Sequence, residues 1–156
     1  MRRAALQMIA LVFVGAGVGL TYNALSPSGL PLSGGSAARL EQQGTPMLTL
    51  DEVRYYLEQP GTSLIDARSA EEYQLGHIPG AFSLPFDTFD QAFPKVLPAL
   101  KKAKRLIIYC SGGSCGTSEE LAKKLQGQGF NDLFIFTDGL PGWMRAKLPV
   151  KSGTDR

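Results

Sequence analysis

Short apolar runs separated by helix-start chemistry limit what this chain can fold into. The runs are SLIDA (63–67), RLIIYC (105–110) and DLFIFT (132–137), with a shorter one, AFSLP (81–85). The three longer runs are continuously apolar rather than alternating, as strands are when both faces are covered. Thr49-Leu-Asp-Glu52, Ser69-Ala-Glu-Glu72 and Thr117-Ser-Glu-Glu120 each fit a capping box. In that box a hydroxyl accepts a backbone N–H three residues on, and the Glu there reaches back. Helices are predicted over 50–58, 70–75, 87–100 and 117–128, with Gly127 and Gly129 stopping the last. Strand and helix alternate, so the expected fold is an α/β domain with a central, mainly parallel sheet flanked by helices.

Ahead of this domain, residues 4–38 carry no charge, and Ala4 to Leu25 form a strongly apolar stretch of 22 residues behind Arg2 and Arg3. A membrane helix needs about 20. The arginines place the N-terminus on the cytoplasmic side and the domain on the extracytoplasmic side, periplasmic in a bacterium. A cleaved secretory signal is the rival reading. Its best small-x-small site, Ala24-Leu25-Ser26, is followed directly by Pro27, which disfavours cleavage. Residues 26–46 are rich in Ser, Gly and Pro and read as a flexible linker. The expected organisation is thus anchor or signal at 1–25, linker at 26–46, domain at 47–149 and a short tail at 150–156.

Charge and cysteine usage exclude several classes. The chain has 16 basic and 14 acidic side chains; Arg2, Arg3, Arg39 and Glu41 lie before residue 47, so the domain is balanced at 13 of each. A neutral domain carries no electrostatic footprint for nucleic acid. Cys110 and Cys115 are the only cysteines and His77 the only histidine. That is too few for a disulfide scaffold or a four-ligand structural zinc site, and no metal or organic cofactor is expected.

Both cysteines lie in YCSGGSCGTSEEL, residues 109–121. Cys110 directly follows a predicted core strand, and in an open parallel sheet ligands gather at the carboxyl ends of strands. Ser111, Gly112, Gly113, Ser114, Cys115 and Gly116 follow. Glycines let the backbone curl with its N–H groups inward, and the helix start beyond adds the positive end of its dipole. A thiolate in such a cradle is stabilised, so the Cys110 pKa is expected to fall. The bland alternative is a buried structural cysteine ending a strand.

These segments resemble the rhodanese family of sulfurtransferases over roughly residues 47–149. LIDAR with EEY resembles its Asp-x-Arg and acidic-aromatic helix, and GHIPGAFSLP (76–85) resembles its most recognisable signature. IIYCSGGSCGTSEELAKKLQGQGF resembles its active-site strand, loop and helix. TDGLPGW (137–143) resembles its closing glycine and tryptophan region, with Leu140 and Pro141 between the glycines. The resemblance implies a rhodanese fold in which Cys110 accepts sulfane sulfur as a persulfide. It further implies a small sulfur donor, a thiol or cyanide-like acceptor, and room for a protein acceptor.

The loop departs from the family in one respect. Many rhodaneses end a six-residue loop in a basic or hydroxyl residue, whereas Cys115 stands there and no Lys or Arg occurs from Tyr109 to Leu121. A cation would help to bind a dianion such as thiosulfate. Cys115 is read either as a packing or substrate-contact residue or as a resolving thiol that attacks the Cys110 persulfide. The second case would make the domain a persulfide or dithiol carrier. A Cys-x5-Arg phosphatase or arsenate reductase is disfavoured, because position 116 is Gly. Asp66 and Arg68 are expected to brace the loop as an ion pair, with Arg68 the nearest cation for an anionic substrate. His77 reads as structural, Trp143 and Met144 as caps of the core, and Phe82, Phe86, Phe89 and Phe93 as core and helix-face residues.

Overall fold

A parallel sheet forms because each strand is separated from the next by a helix or crossover that returns the chain to the same end. The computed structural model describes Thr21, residues 44–113 and residues 115–156. The strands are β1 (Met47–Leu48), β2 (Thr62–Asp66), β3 (Phe82–Ser83), β4 (Arg105–Tyr109) and β5 (Leu133–Phe136). The helices are α1 (Leu50–Leu57), α2 (Ala70–Leu75), α3 (Phe89–Leu100), α4 (Thr117–Gly127) and α5 (Gly139–Arg145). Strand order is β1-β5-β4-β2-β3, and every pairing is parallel. The α/β parallel-sheet expectation therefore holds.

The continuous apolar runs are explained by two cores, one on each face of the sheet. Alternate side chains of β4 sort between them. Leu106, Ile108 and Cys110 join Phe89, Phe93, Leu121 and Leu125 on one face. Ile107 and Tyr109 join Val53, Tyr73 and Trp143 on the other. β2 and β5 divide in the same way, Ile65 and Ile135 against Leu64 and Phe136. Phe89 and Phe93 stack in the first core, with Phe82 and Phe86 packed at its margin.

Two of the three predicted capping boxes form. Thr49 with Glu52 and Ser69 with Glu72 make both reciprocal bonds. The third does not: Gly116 is the N-cap of α4, without a side-chain cap bond, and Thr117 is already helical. The Thr117 hydroxyl and N–H turn towards Cys115 instead. Two elements lie outside the predicted set. β1 is only two residues long, and α5 contains Gly139, Pro141 and Gly142, which usually mark turns. Pro141 is tolerated because it sits in the first turn, where the N–H has no helical partner.

Residues after Val150 are tied to the domain. His77 and Lys151 exchange backbone hydrogen bonds of 2.8 and 2.9 Å, and the Ser152 hydroxyl donates to the Leu75 carbonyl at 3.0 Å. Among the described residues no helix is long and apolar enough to cross a membrane. The apolar stretch 4–25 lies outside the described residues apart from Thr21.

Candidate active site

β4 ends at Tyr109, and Cys110 leaves the sheet on the face covered by α3 and α4, with only 3% of its surface exposed. The backbone that follows is locked against the start of α5. Leu140 N–H donates to the Cys110 carbonyl at 3.1 Å. Gly139 has φ +56°, and a Cβ there would stand 2.7 Å from the Gly112 nitrogen. Gly112 has φ +81°, and a Cβ there would stand 2.6 Å from the Asp138 carbonyl oxygen. Two glycines from distant segments thus allow two backbones to touch. This contact gives TDGLPGW a physical role: it forms the platform under the loop. Gly113 also has positive φ, but open space surrounds it, as it does Gly116.

The Cys110 sulfur lies 3.6 Å from the Cys115 carbonyl and 3.7 Å from Ser118 Oγ. Burial pushes the Cys110 thiol pKa up, and its bond with Cys115 adds to this; the Gly112 N–H and Ser118 hydroxyl pull the other way without prevailing. The expected lowering at Cys110 is therefore not found, because desolvation outweighs the cradle. It appears at Cys115. Burial also opposes ionisation there, but the Cys110 thiol, the Thr117 hydroxyl and the N–H groups of Thr117 and Ser111 together hold the Cys115 pKa below the ordinary thiol value. Both cysteines are free thiols, Cys110 buried and Cys115 half-buried.

Asp66 and Arg68 form the expected brace. Asp66 is fully buried at the end of β2, and its Oδ1 accepts from the Arg68 backbone N–H and Nε, each at 3.0 Å. Arg68 also donates to the Gly76 carbonyl at 2.7 Å. Burial disfavours its charge, but the bonds and attraction of Asp66 outweigh this and raise its pKa. His77 is fully buried, stacks on the Tyr73 ring at 3.8 Å, and its Nδ1 meets the Tyr73 carbonyl at 2.9 Å. Among the described residues it makes no bond to either cysteine.

A cleft of about 560 Å³ opens beside the loop, lined by Arg68, Glu72, Ser111, Leu140, Pro141, Met144 and Arg145. Ser111 Oγ donates to Glu72 at 3.3 Å, joining the loop to the α2 cap. Trp143 caps the second core and donates from Nε1 to the Pro149 carbonyl at 2.7 Å. Met144 does not cap the core; it is 55% exposed and lines the cleft, because it sits about 100° round α5 from the buried Trp143.

Of the residues singled out in the sequence, Cys110 lies against Cys115, and Arg68 lines the cleft with Ser111, while Ser114 lies outside the described residues. The sequence arguments missed Ser118, Glu72 and Arg145. Ser118 carried a usable signal. It falls on the buried stripe of α4 with Leu121, Ala122 and Leu125, and a hydroxyl on an apolar stripe needs a partner. Arg145 carried none, because α5 was not predicted.

The family model of the Rhodanese-like domain matches residues 49–146. The chain belongs to the rhodanese-like family. It is similar to the tRNA uridine(34) hydroxylase of Enterobacter sp. (strain 638), 32% identical over 106 residues, covering 64% of this chain and 30% of that protein. The hydroxylase of Yersinia enterocolitica is 32% identical over 110 residues, covering 67% and 31%. The chain thus spans about a third of the length of these curated relatives. Among solved structures, the thiosulfate sulfurtransferase of Pseudomonas aeruginosa superposes with a TM-score of 0.56 at 27% identity, over 77% of this chain and 22% of that one. The BH2092 protein of Bacillus halodurans superposes at 0.61 with 22% identity, over 76% and 83%, which shows the shared fold.

Proposed function

We propose that this rhodanese-like domain is a sulfurtransferase that moves sulfane sulfur through a Cys110 persulfide. The observation that carries this is the placement of the Cys110 sulfur. It directly follows a central strand and is met by the Gly112 N–H and the Ser118 hydroxyl, and the next residue, Ser111, lines the cleft. Cys110 loses its proton and attacks the sulfane sulfur of the donor, whose leaving group departs with the bonding pair. A thiophilic acceptor, such as a thiol or cyanide, then attacks the outer sulfur, and Cys110 departs as thiolate. The loop donors stabilise the sulfur anion without a metal or organic cofactor.

A persulfide or dithiol carrier with little turnover is the second reading, favoured by the bond from the Cys110 thiol to the Cys115 carbonyl. The similar hydroxylases have tRNA in their name, but the chain spans only a third of them and its domain carries no excess positive charge. The acceptor proposed here is a thiol, small or on a protein, rather than a nucleic acid. We place the domain outside the cytoplasm on an uncleaved single-pass anchor, residues 4–25, from the apolar stretch behind Arg2 and Arg3. A reporter fused after Arg156 would then be exported.

The test is intact mass spectrometry of the chain after exposure to a sulfane donor, with cyanide turnover measured in parallel. Wild type gains one sulfur and forms thiocyanate; Cys110→Ser does neither. Undiminished loading of Cys110→Ser defeats the assignment, and stable loading without turnover moves it to the carrier.

A further inference from the structure

The half-buried second sulfur, Cys115, has no part in a simple transfer through Cys110, yet the loop surrounds it with donors. Thr117 offers it a hydroxyl and an N–H from the start of α4, and Ser111 offers an N–H from the other limb of the loop. The Cys110 thiol donates to the Cys115 carbonyl at 3.6 Å. Residue 115 is therefore folded back over residue 110. Cys110 itself is 3% exposed, so an outside acceptor has to reach a sulfur that Cys115 already contacts.

We propose that Cys115 is a resolving thiol that discharges the Cys110 persulfide as sulfide and closes a Cys110–Cys115 disulfide. The proposal rests on the persulfide chemistry above and assigns a second fate to that sulfur. In this step the Cys115 thiolate attacks the inner sulfur of Cys110–S–SH. A new S–S bond forms between the cysteines, and the old S–S bond breaks. Hydrosulfide leaves with its electron pair and takes a proton from water. The sulfane sulfur is reduced to sulfide while the two thiols are oxidised to the disulfide, so no outside oxidant enters. An external dithiol reopens the ring by exchange and is itself oxidised.

The choice of inner over outer sulfur follows from the leaving groups. Attack on the outer sulfur would only pass the persulfide from Cys110 to Cys115. Attack on the inner sulfur instead expels hydrosulfide, a weakly basic leaving group that escapes to solvent. The sulfurs must close to about 2.05 Å with the Cα atoms about 4.4–6.8 Å apart. A Cβ at Gly112 would strike the Asp138 carbonyl, whereas one at Gly113 or Gly116 would meet nothing within 4 Å, so there is room beside Cys115 for that approach.

The experiment uses the full chain, reduced and kept anaerobic, given inorganic polysulfide, desalted, and followed by sulfide release and mass spectrometry without added thiol. Wild type should release one sulfide per chain, end two hydrogens lighter than the reduced chain, and resist alkylation at both cysteines until a dithiol is added. Cys115→Ser should keep the added sulfur on Cys110 and release sulfide at least about 10-fold more slowly. Cys115→Ala is run beside it, with Trp143 fluorescence to verify folding. Wild type that retains the persulfide beside an alkylatable Cys115 overturns the resolving step alone, as does sulfide release at the wild-type rate from both folded variants. Wild type that takes up no sulfur overturns the persulfide reading, and this step with it.

Discussion

If the contact between Gly139 and Gly112 fixes the loop, Gly139→Ala should be far more damaging than an alanine at another left-handed glycine. Gly80 supplies the comparison. Its φ is +84°, but a Cβ there would meet nothing within 4 Å, whereas at Gly139, φ +56°, it would stand 2.7 Å from the Gly112 nitrogen and 2.9 Å from the Gly112 Cα. Both substitutions carry the left-handed backbone cost, about 1–2 kcal/mol. Only Gly139→Ala adds a clash with backbone that has no flexible end to give, about 1–3 kcal/mol more. With a urea slope of about 2 kcal/mol per M, the difference is about 0.5–1.5 M in midpoint. Trp143, the sole tryptophan and buried in α5, reports the transition. Equal midpoints for the two variants would show that the loop and α5 are not locked together as described.

Two other outcomes follow from the same geometry. Iodoacetamide should modify Cys115 before Cys110; the thiolate is the reactive form, so the Cys115 rate should level off below the ordinary thiol pKa while the Cys110 rate keeps rising above it. Peptide mass spectrometry across a pH series reads both, and first labelling at Cys110 would contradict the assignment. Asp66→Asn leaves the Arg68 guanidinium without its charge partner and should cost about 3–4 kcal/mol in urea unfolding, the lower part of the range for a buried pair because Arg68 reaches the cleft. A loss below about 0.5 kcal/mol would place the pair among surface bridges that contribute little.

The parts legible in the sequence are those fixed by local chemistry. Uninterrupted apolarity marked β2, β4 and β5 because both faces of those strands are covered, and period-two sorting into two cores is the physical reason. Two capping boxes were legible because their bonds span only three residues. The third failed because a competing local contact took its place: Thr117 serves Cys115, two residues before it, and the N-cap passes to Gly116. α5 was hidden by Gly and Pro that are there for long-range reasons. Gly139 admits the Cys110 carbonyl and the Gly112 backbone, contacts formed between segments nearly thirty residues apart. The acidity of the thiols was illegible for a similar reason. Glycines and a helix start indicate donors, but which sulfur they serve depends on how deeply each is buried.

The distribution of cations around the loop bears on the donor. In many rhodaneses the last loop position offers a charge or hydroxyl; here Cys115 holds it, and the nearest guanidinium, Arg68, is engaged by Asp66 and the Gly76 carbonyl. Arg145 is the other cation lining the cleft, and Glu72, which also lines it, offsets its charge. A dianion such as thiosulfate would therefore meet backbone N–H groups and at most one available guanidinium. A well-aligned charge-assisted contact is worth about 1.5–3 kcal/mol, so the missing loop cation corresponds to roughly 10- to 100-fold in binding such a donor. A persulfide of lower charge loses less, and an organic body can lie against Leu140, Pro141 and Met144, the last of which is 55% exposed. On the proposed reading, the donor expected to load Cys110 best is a singly charged organic persulfide, and loading by such a donor at no more than the thiosulfate rate would refute this.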